Sequence, residues 1–452
     1  MAAAFVAHVQ RVNPSLNALI HFDPDFVFDQ AREADRRRAS GERGPWLGVP
    51  VTAKDNLWLG GRPATNGSAL FRDFVAPENA ISVARLRQAG AVFLGSTNCS
   101  EFACKGVTTN PLHGTTSNPW DLDRTPGGSS GGAAAATAAG LGYLALATDA
   151  GGSTRRPAAH TGVVGMKPTS GFVPHAGGFA EPVYGHSVVG QMGRCVSDIA
   201  DAFALLARPD KSDPQSPPGG CFRQAQAIPE ALDPLRIAYS PRLGMGVPVD
   251  REVSACVRRT AQSLESAGFI VEQADPEWPS EVSEEALMPL QWSGLAAIYG
   301  ERWRQKMWEA DPDIAVQIER GLELPGWRVA AALELRKQLY AALSRFFERY
   351  DLLLTPTTPV TAWDHGLPGP PEIDGTPVSA RAHAVFTPIF NHCYVPACSV
   401  PCGLDSRSLP IGIQIVGPMF ADARVLGLAA VVERSRVLDF SCIRVPAPKT
   451  EG

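Results

Sequence analysis

Residues 124–153 read RTPGGSSGGAAAATAAGLGYLALATDAGGS, and no other stretch constrains the fold as tightly. A glycine–serine loop leads into AAAATAAG, then into an apolar run, then into a second glycine–serine loop. The small residues predict a compact helix that can pack closely against the strand expected over 141–148, whose apolar character suits burial on both faces. A helix followed by a returning strand carries the chain back to where it started. Ser129 and Ser153 are therefore expected to meet in one site.

The same alternation recurs along the chain. Residues 47–54 read as a strand ending in Lys54, 78–89 as an amphipathic helix and 91–95 as a buried strand. Residues 235–239, 250–267 and 269–274 repeat the strand–helix–strand order, which predicts an α/β fold. Short helices are expected at 3–12, before an extended LNALIHF segment, and at 25–39. Residues 282–349 read as mainly helical, with Leu335, Leu339, Leu343 and Phe346 on one core-facing stripe. Further strands are expected at 351–354, 397–401 and 411–416, and the Pro/Gly/Ser-rich stretch 208–234 reads as an exposed connector. There is no internal repeat, and with 44% apolar residues the chain reads as a single domain over 1–452.

Charge narrows the functional classes. A net charge of −5 with interspersed signs offers no concentrated basic face for nucleic acid or an anionic membrane. No apolar run reaches the roughly 18 residues of a membrane span, and no secretory signal opens the chain. The nine cysteines form no CxxC pair and have no histidines beside them at metal-ligand spacing. The expectation is a cytoplasmic protein with reduced thiols and neither metal nor organic cofactor.

Gly127–Gly131 satisfies G-x-S-x-G, the nucleophile elbow of α/β-hydrolases. That elbow requires an apolar strand running into it, and SNPWDLDRTP is polar and twice interrupted by proline. No phosphate-loop pattern is present either. Ser153 is better situated: it follows the exit of a buried strand, and Gly151 and Gly152 free the backbone N–H groups to converge on a developing oxyanion. Nine scattered histidines supply no recognisable base. Lys54 is the alternative, since burial away from carboxylates can strip an ammonium of its proton. An exposed Lys54 paired with Asp55 fits the spacing equally well.

The segments GVPVTAKDN (48–56), TNPLHGTTSNPW with PGGSSGG (109–132), TDAGGSTRRPA with GVVGMKPTSG (148–171), LLLTPTTP (352–359), VPACSVPCG (395–403) and SLPIGIQIVG (408–417) together closely resemble the amidase signature family. The match runs in order from about 44 to 435, with the signature core over about 44–205 and 350–435, and is weakest over 205–345. The resemblance implies an α/β/α sandwich around a large mixed sheet and a Ser–cisSer–Lys triad. Ser153 would then be the nucleophile, Ser129 the bridging serine with a cis peptide bond, and Lys54 the base. Backbone amides of Ala150, Gly151, Gly152 and Ser153 would form the oxyanion hole, and Ser130, Asp149 and Arg155 would buttress the loops.

What the resemblance implies is hydrolysis of a small aryl or alkyl amide through an acyl-enzyme on Ser153, with a small-molecule partner and room for a homodimer. The rival readings are the glutamine-hydrolysing subunit of a tRNA-dependent amidotransferase, an inactive family-fold binding protein, and an α/β-hydrolase using Ser129. Departures from the family pattern occur at His160, at Ser187 and over Asn391–Pro396. His160 is expected to be packing. The acyl pocket is expected from 105–113, 172–186 and 282–345, with Phe172, Phe179, Tyr184, Trp292 and Trp303 as candidate lining and core packing as the default for each.

Overall fold

A computed structural model describes residues 1–222, 232–435, 438–443 and 445. Ten strands form one mixed sheet in the spatial order Val92–Thr97, Pro50–Lys54, Leu144–Asp149, Val188–Gly193, Val164–Lys167, Ala397–Leu404, Pro410–Val416, Leu352–Pro356, Arg236–Tyr239, Ile270–Gln273. Both flanks are parallel, as strand–helix–strand units require. The middle, from Leu144–Asp149 to Leu352–Pro356, is antiparallel.

Helices cover both faces, and the pleat of one strand demonstrates it. Along Leu144–Asp149, Ala145 and Ala147 pack with Ala133, Ala134, Ala138 and Ala158. The alternate residues Leu144 and Leu146 belong to the large core with Ile199, Phe203 and Leu426. The all-alanine side is what allows the helix Gly131–Ala138, buried at every position, to lie so close. A Cβ on Gly132 would stand 2.5 Å from the Asn98 backbone nitrogen, so the helix could not approach with any larger residue there.

Several boundaries move for physical reasons. The first helix runs Ala2–Leu16, past the expected end at residue 12. Pro14 sits inside it, and buried Val9, Val12 and Leu16 hold the last turns that Pro14 weakens. The strand expected from 47 begins at Pro50, because residues 44–49 form turns with Gly48 at φ +84°. The 78–89 helix contracts to Ile81–Gln88. The strands Val164–Lys167 and Val188–Gly193 and the helices Val196–Leu206 and Asp422–Ser435 were not anticipated. Of the expected connector 208–234, residues 223–231 lie outside the described residues, and 208–218 carry only turns and irregular chain.

Three helices, Glu284–Arg304, Pro312–Glu323 and Gly326–Phe346, form the expected helical region. Leu335, Leu339 and Leu343 enter the main core with Phe346 packed against it. Phe102, Tyr299, Trp308, Ile314 and Ile318 make a separate apolar cluster, with Phe102 and Tyr299 stacked at 3.8 Å between ring centroids. No helix among the described residues is long and apolar enough to cross a membrane.

Candidate active site

Lys54 is the last residue of its strand and is fully buried. Its Nζ donates to Ser129 Oγ at 2.7 Å and to Thr148 Oγ1 at 3.0 Å. Thr148 also accepts from Asn56 Nδ2 at 2.9 Å, which holds the hydroxyl in place. Burial, foremost, lowers the Lys54 amine to about 8, with the charge of Asp149 among the opposing influences. Asp55 turns away: its carboxylate accepts from the Thr65 hydroxyl and from the Thr65 and Gly67 backbone N–H groups. The exposed Lys54–Asp55 pair is thereby overturned, because the strand sends neighbouring side chains to opposite faces.

Ser129 follows a cis peptide bond at Gly128–Ser129. Thr108 fastens its loop, donating from Oγ1 to Gly127 O at 2.9 Å and accepting from Gly131 N at 2.8 Å. Ser130 Oγ donates to Thr148 O at 3.2 Å, which ties this loop to the strand that feeds the other serine.

The Ser153 turn is organised around one buried ion pair. Asp149 accepts from Gly152 N at 2.7 Å, Thr154 N at 3.1 Å, and Arg155 Nε and Nη2 at 3.0 and 2.9 Å. Burial pushes the Asp149 carboxyl up, but the Arg155 charge and hydrogen bonds, with Lys167 and Asn391, hold it well below the usual carboxylate range. Arg155 spends its remaining donors on Thr387 O at 3.1 Å, Gln414 Oε1 at 2.7 Å and Asn391 Oδ1 at 2.5 Å. Asn391 Nδ2 returns a bond to Asp149 O at 2.8 Å. Ser130, Asp149 and Arg155 thus tie the two serine loops to each other and to Thr387, Asn391 and Gln414.

Gly152 has φ +108°, and a Cβ there would stand 2.1 Å from Thr387 Oγ1, so only glycine fits. Because the Gly152 N–H is engaged by Asp149, it does not stand free as the expected oxyanion donor set assumed. The N–H groups of Gly151 and Ser153 have no protein acceptor among the described residues, while the Gly151 carbonyl accepts from Thr387 Oγ1 at 2.9 Å. Ala150, Gly151 and Ser153 all border the cavity described next.

That cavity, of about 200 Å³, is lined by Ser153, Ala150, Gly151, Arg156, the 282–291 end of the long helix and residues 381–392. A smaller one of about 40 Å³ joins Ser129, Ser153, Thr148 and Asn56 with Phe179 and Ser187. Of the five aromatic candidates only Phe179 borders either cavity. Phe172 packs on Phe203, Phe222 and Phe420, Trp292 stacks under Arg320, and Trp303 packs on Trp308. Tyr184 is exposed, with its hydroxyl 3.2 Å from Ser293 Oγ. His160 is buried edge-on to Trp363, and a Cβ on Gly127 would stand 2.9 Å from its ring; burial lowers it to about 3. That is the packing role expected of it.

Sequence reasoning missed Thr148 and Asn56, which lie inside the quoted motifs one and two residues from Asp149 and Lys54, and Thr108, which directly precedes one of those motifs. It also missed Arg156, Thr387, Asn391 and Gln414 as part of the site. Among the described residues, one group of metal-ligating side chains stands out: His21, Asp55 and His113 bring ligand atoms within 4.8 Å of one another. None of the three borders either cavity.

A family model described as Amidase matches residues 1–426. An acylamidase of Rhodococcus erythropolis is 36% identical over 442 residues, covering 96% of this chain and 91% of that protein. A glutamyl-tRNA(Gln) amidotransferase subunit of Symbiobacterium thermophilum is also 36% identical, over 95% of this chain and 91% of its own length. Among solved structures, a bacterial aryl acylamidase of the amidase signature enzymes superposes with a TM-score of 0.88 at 27% identity, covering 99% of this chain and 94% of that one.

Proposed function

The chain belongs to the amidase family, and on that premise we propose that it cleaves amides by a Ser153–Ser129–Lys54 relay. It is a hydrolase of carbon–nitrogen bonds. In the proposed mechanism Ser153 Oγ attacks the amide carbonyl while its proton passes through the Ser129 hydroxyl to the neutral Lys54 amine. Gly151 and Ser153 N–H groups stabilise the tetrahedral oxyanion, with Ala150 beside them. The protonated relay then returns the proton to the leaving amine or ammonia, and water hydrolyses the acyl-enzyme on the same base.

One observation carries the reading: a buried lysine, without a carboxylate partner among the described residues, donates at 2.7 Å to a serine that shares a cavity with Ser153. Burial lowers the amine to about 8, which brings its neutral, proton-accepting form within reach near neutral pH. The test is labelling by a fluorophosphonate together with turnover of a panel of amides. Ser153→Ala is expected to abolish both, and label landing on Ser129 instead would overturn the assignment.

A second reading stays in play because an amidotransferase component is as similar in sequence as an acylamidase. The isolated chain distinguishes them. A free-standing amidase hydrolyses small aryl or alkyl amides alone, whereas a glutamine-hydrolysing subunit releases ammonia from glutamine only when its partners are added.

A further inference from the structure

Three side chains outside both cavities meet where no sequence spacing would bring them. His21 lies beyond the first helix, on a segment pressed against the strand Val92–Thr97. There Ile20 N donates to Ser96 O at 2.9 Å, and a Cβ on Gly95 would stand 2.6 Å from His21 O. Asp55 directly follows the strand Pro50–Lys54 and is fully buried. His113 stands at the tip of the hairpin that pairs Thr109–Asn110 with Gly114–Thr115. Its N–H donates to Asn110 Oδ1 at 2.7 Å, and its carbonyl accepts from Asn17 Nδ2 at 2.6 Å. The ligand atoms of the three lie within 4.8 Å of one another.

Hydrogen bonding accounts for two of them. Asp55 accepts from the Thr65 hydroxyl, and that hydroxyl, its proton already given, faces His113 Nε2 at 3.0 Å. His21 is left over. Its Nε2 is buried 3.5 Å from Asp55 Oδ1 and makes no hydrogen bond among the described residues. The two imidazole rings stand edge to face with centroids 5.3 Å apart. Arg62, a cation whose charge reaches His21, is engaged by Asp23 at 2.9 Å. A buried imidazole nitrogen that faces a carboxylate without bonding to it marks a place for a third atom.

We infer that His21, Asp55 and His113 form a binding site for one divalent transition-metal ion of the zinc type, structural in role. Two imidazoles with one carboxylate suit zinc, whereas magnesium and calcium take oxygen ligands. Tetrahedral bonds of about 2 Å put neighbouring ligand atoms about 3.3 Å apart. The pair at 3.5 Å is thus already placed, and turning the half-buried His113 ring closes the rest. His113 exchanges its bond with Thr65 for the metal, while the Thr65 hydroxyl and backbone N–H keep the carboxylate oriented from behind. The His21 side chain is 16% exposed, which gives water a route to the fourth position. Coordination pins the N-terminal segment and the hairpin to the residue that follows Lys54, three parts of the chain that unfolding scatters.

The test takes the full chain without a histidine tag, strips it with a chelator, and titrates it with Zn²⁺ and with Co²⁺ as a coloured stand-in. Zn²⁺ is expected to saturate at one equivalent by calorimetry, and Co²⁺ to develop visible absorption at the same stoichiometry. The melting temperature should rise by a few degrees with Zn²⁺ and stay unmoved by Mg²⁺. His21→Ala and His113→Ala are each expected to weaken Zn²⁺ binding by about 100-fold and to abolish the rise in melting temperature. Failure of the native chain to bind Zn²⁺ at one equivalent, or equally tight binding by either variant, would overturn the inference.

Should a variant fail to fold, modification of the native chain by diethyl pyrocarbonate gives the answer, mapped by mass spectrometry. Zn²⁺ protecting His21 and His113 while His365 reacts as before supports the site. Equal modification of both histidines with and without Zn²⁺ sinks it.

Discussion

The floor of the cavity and its wall are built on opposite principles. On the floor, Lys54, Ser129, Thr148, Asp149 and Arg155 are bonded to one another or to the backbone. On the wall, Arg156, His383 and His392 each keep a buried nitrogen with no partner among the described residues. Internal satisfaction fixes geometry, which bond-making chemistry demands. Unsatisfied groups keep hydrogen-bonding capacity that a ligand can use. In the proposed mechanism the reaction is therefore set by groups the protein completes for itself, and the choice of substrate is left to groups it leaves incomplete.

Breaking the floor should therefore cost far more than reshaping the wall. Ser153→Ala is expected to lower kcat by about 10⁴-fold or more in steady-state assays with any amide the native chain cleaves. A fall of less than tenfold would remove the distinction between the two regions altogether. Lys54→Ala is expected to cost about 10³-fold. The pH profile gives a sharper form of the same test. The amine acts as a base only when unprotonated, and burial lowers it to about 8. In the native chain kcat/KM should therefore rise with pH up to about 8 and level off above it, and Lys54→Ala should lose that rise.

Gly152→Ala probes where floor and wall meet. The added methyl would strike Thr387 and require φ +108° of an alanine. A loss of about 10²-fold in kcat is expected from the displaced turn, with the fold retained by circular dichroism. Phe179→Ala, on the edge of the smaller cavity, should change KM by only a few-fold. An effect as large as that of Gly152→Ala would show that the wall shares in the chemistry.

How legible each region was in the sequence follows from the same contrast. Lys54, Ser129 and Ser153 were readable because each lies at a strand exit or in a glycine turn, where local composition announces an unusual backbone. Asp149 and Arg155 were readable through the motif they share with Ser153. Gln414 and Asn391 were not, since their bonds to Arg155 and Asp149 reach residues more than 200 positions away and their own neighbours give no hint of it. The strands Val164–Lys167 and Val188–Gly193 escaped because they are short, carry glycines and are buried at every position, which leaves no alternation to detect. Trp292 and Trp303 show the converse: a large aromatic can advertise a pocket, yet these two pack against Arg320 and Trp308, the packing weighed as their default. Apolar patterning located the sheet and the long helices but could not say which end of a helix would border the cavity.

The tie from Arg155 to Gln414 spans 259 residues of chain. During synthesis the lysine and both serines leave the ribosome long before the strand that carries Gln414 exists. A nascent polypeptide therefore holds its reactive hydroxyls in a backbone that has yet to be cinched, and hydrolytic power is expected to arrive only once the strand that carries Gln414 has been made.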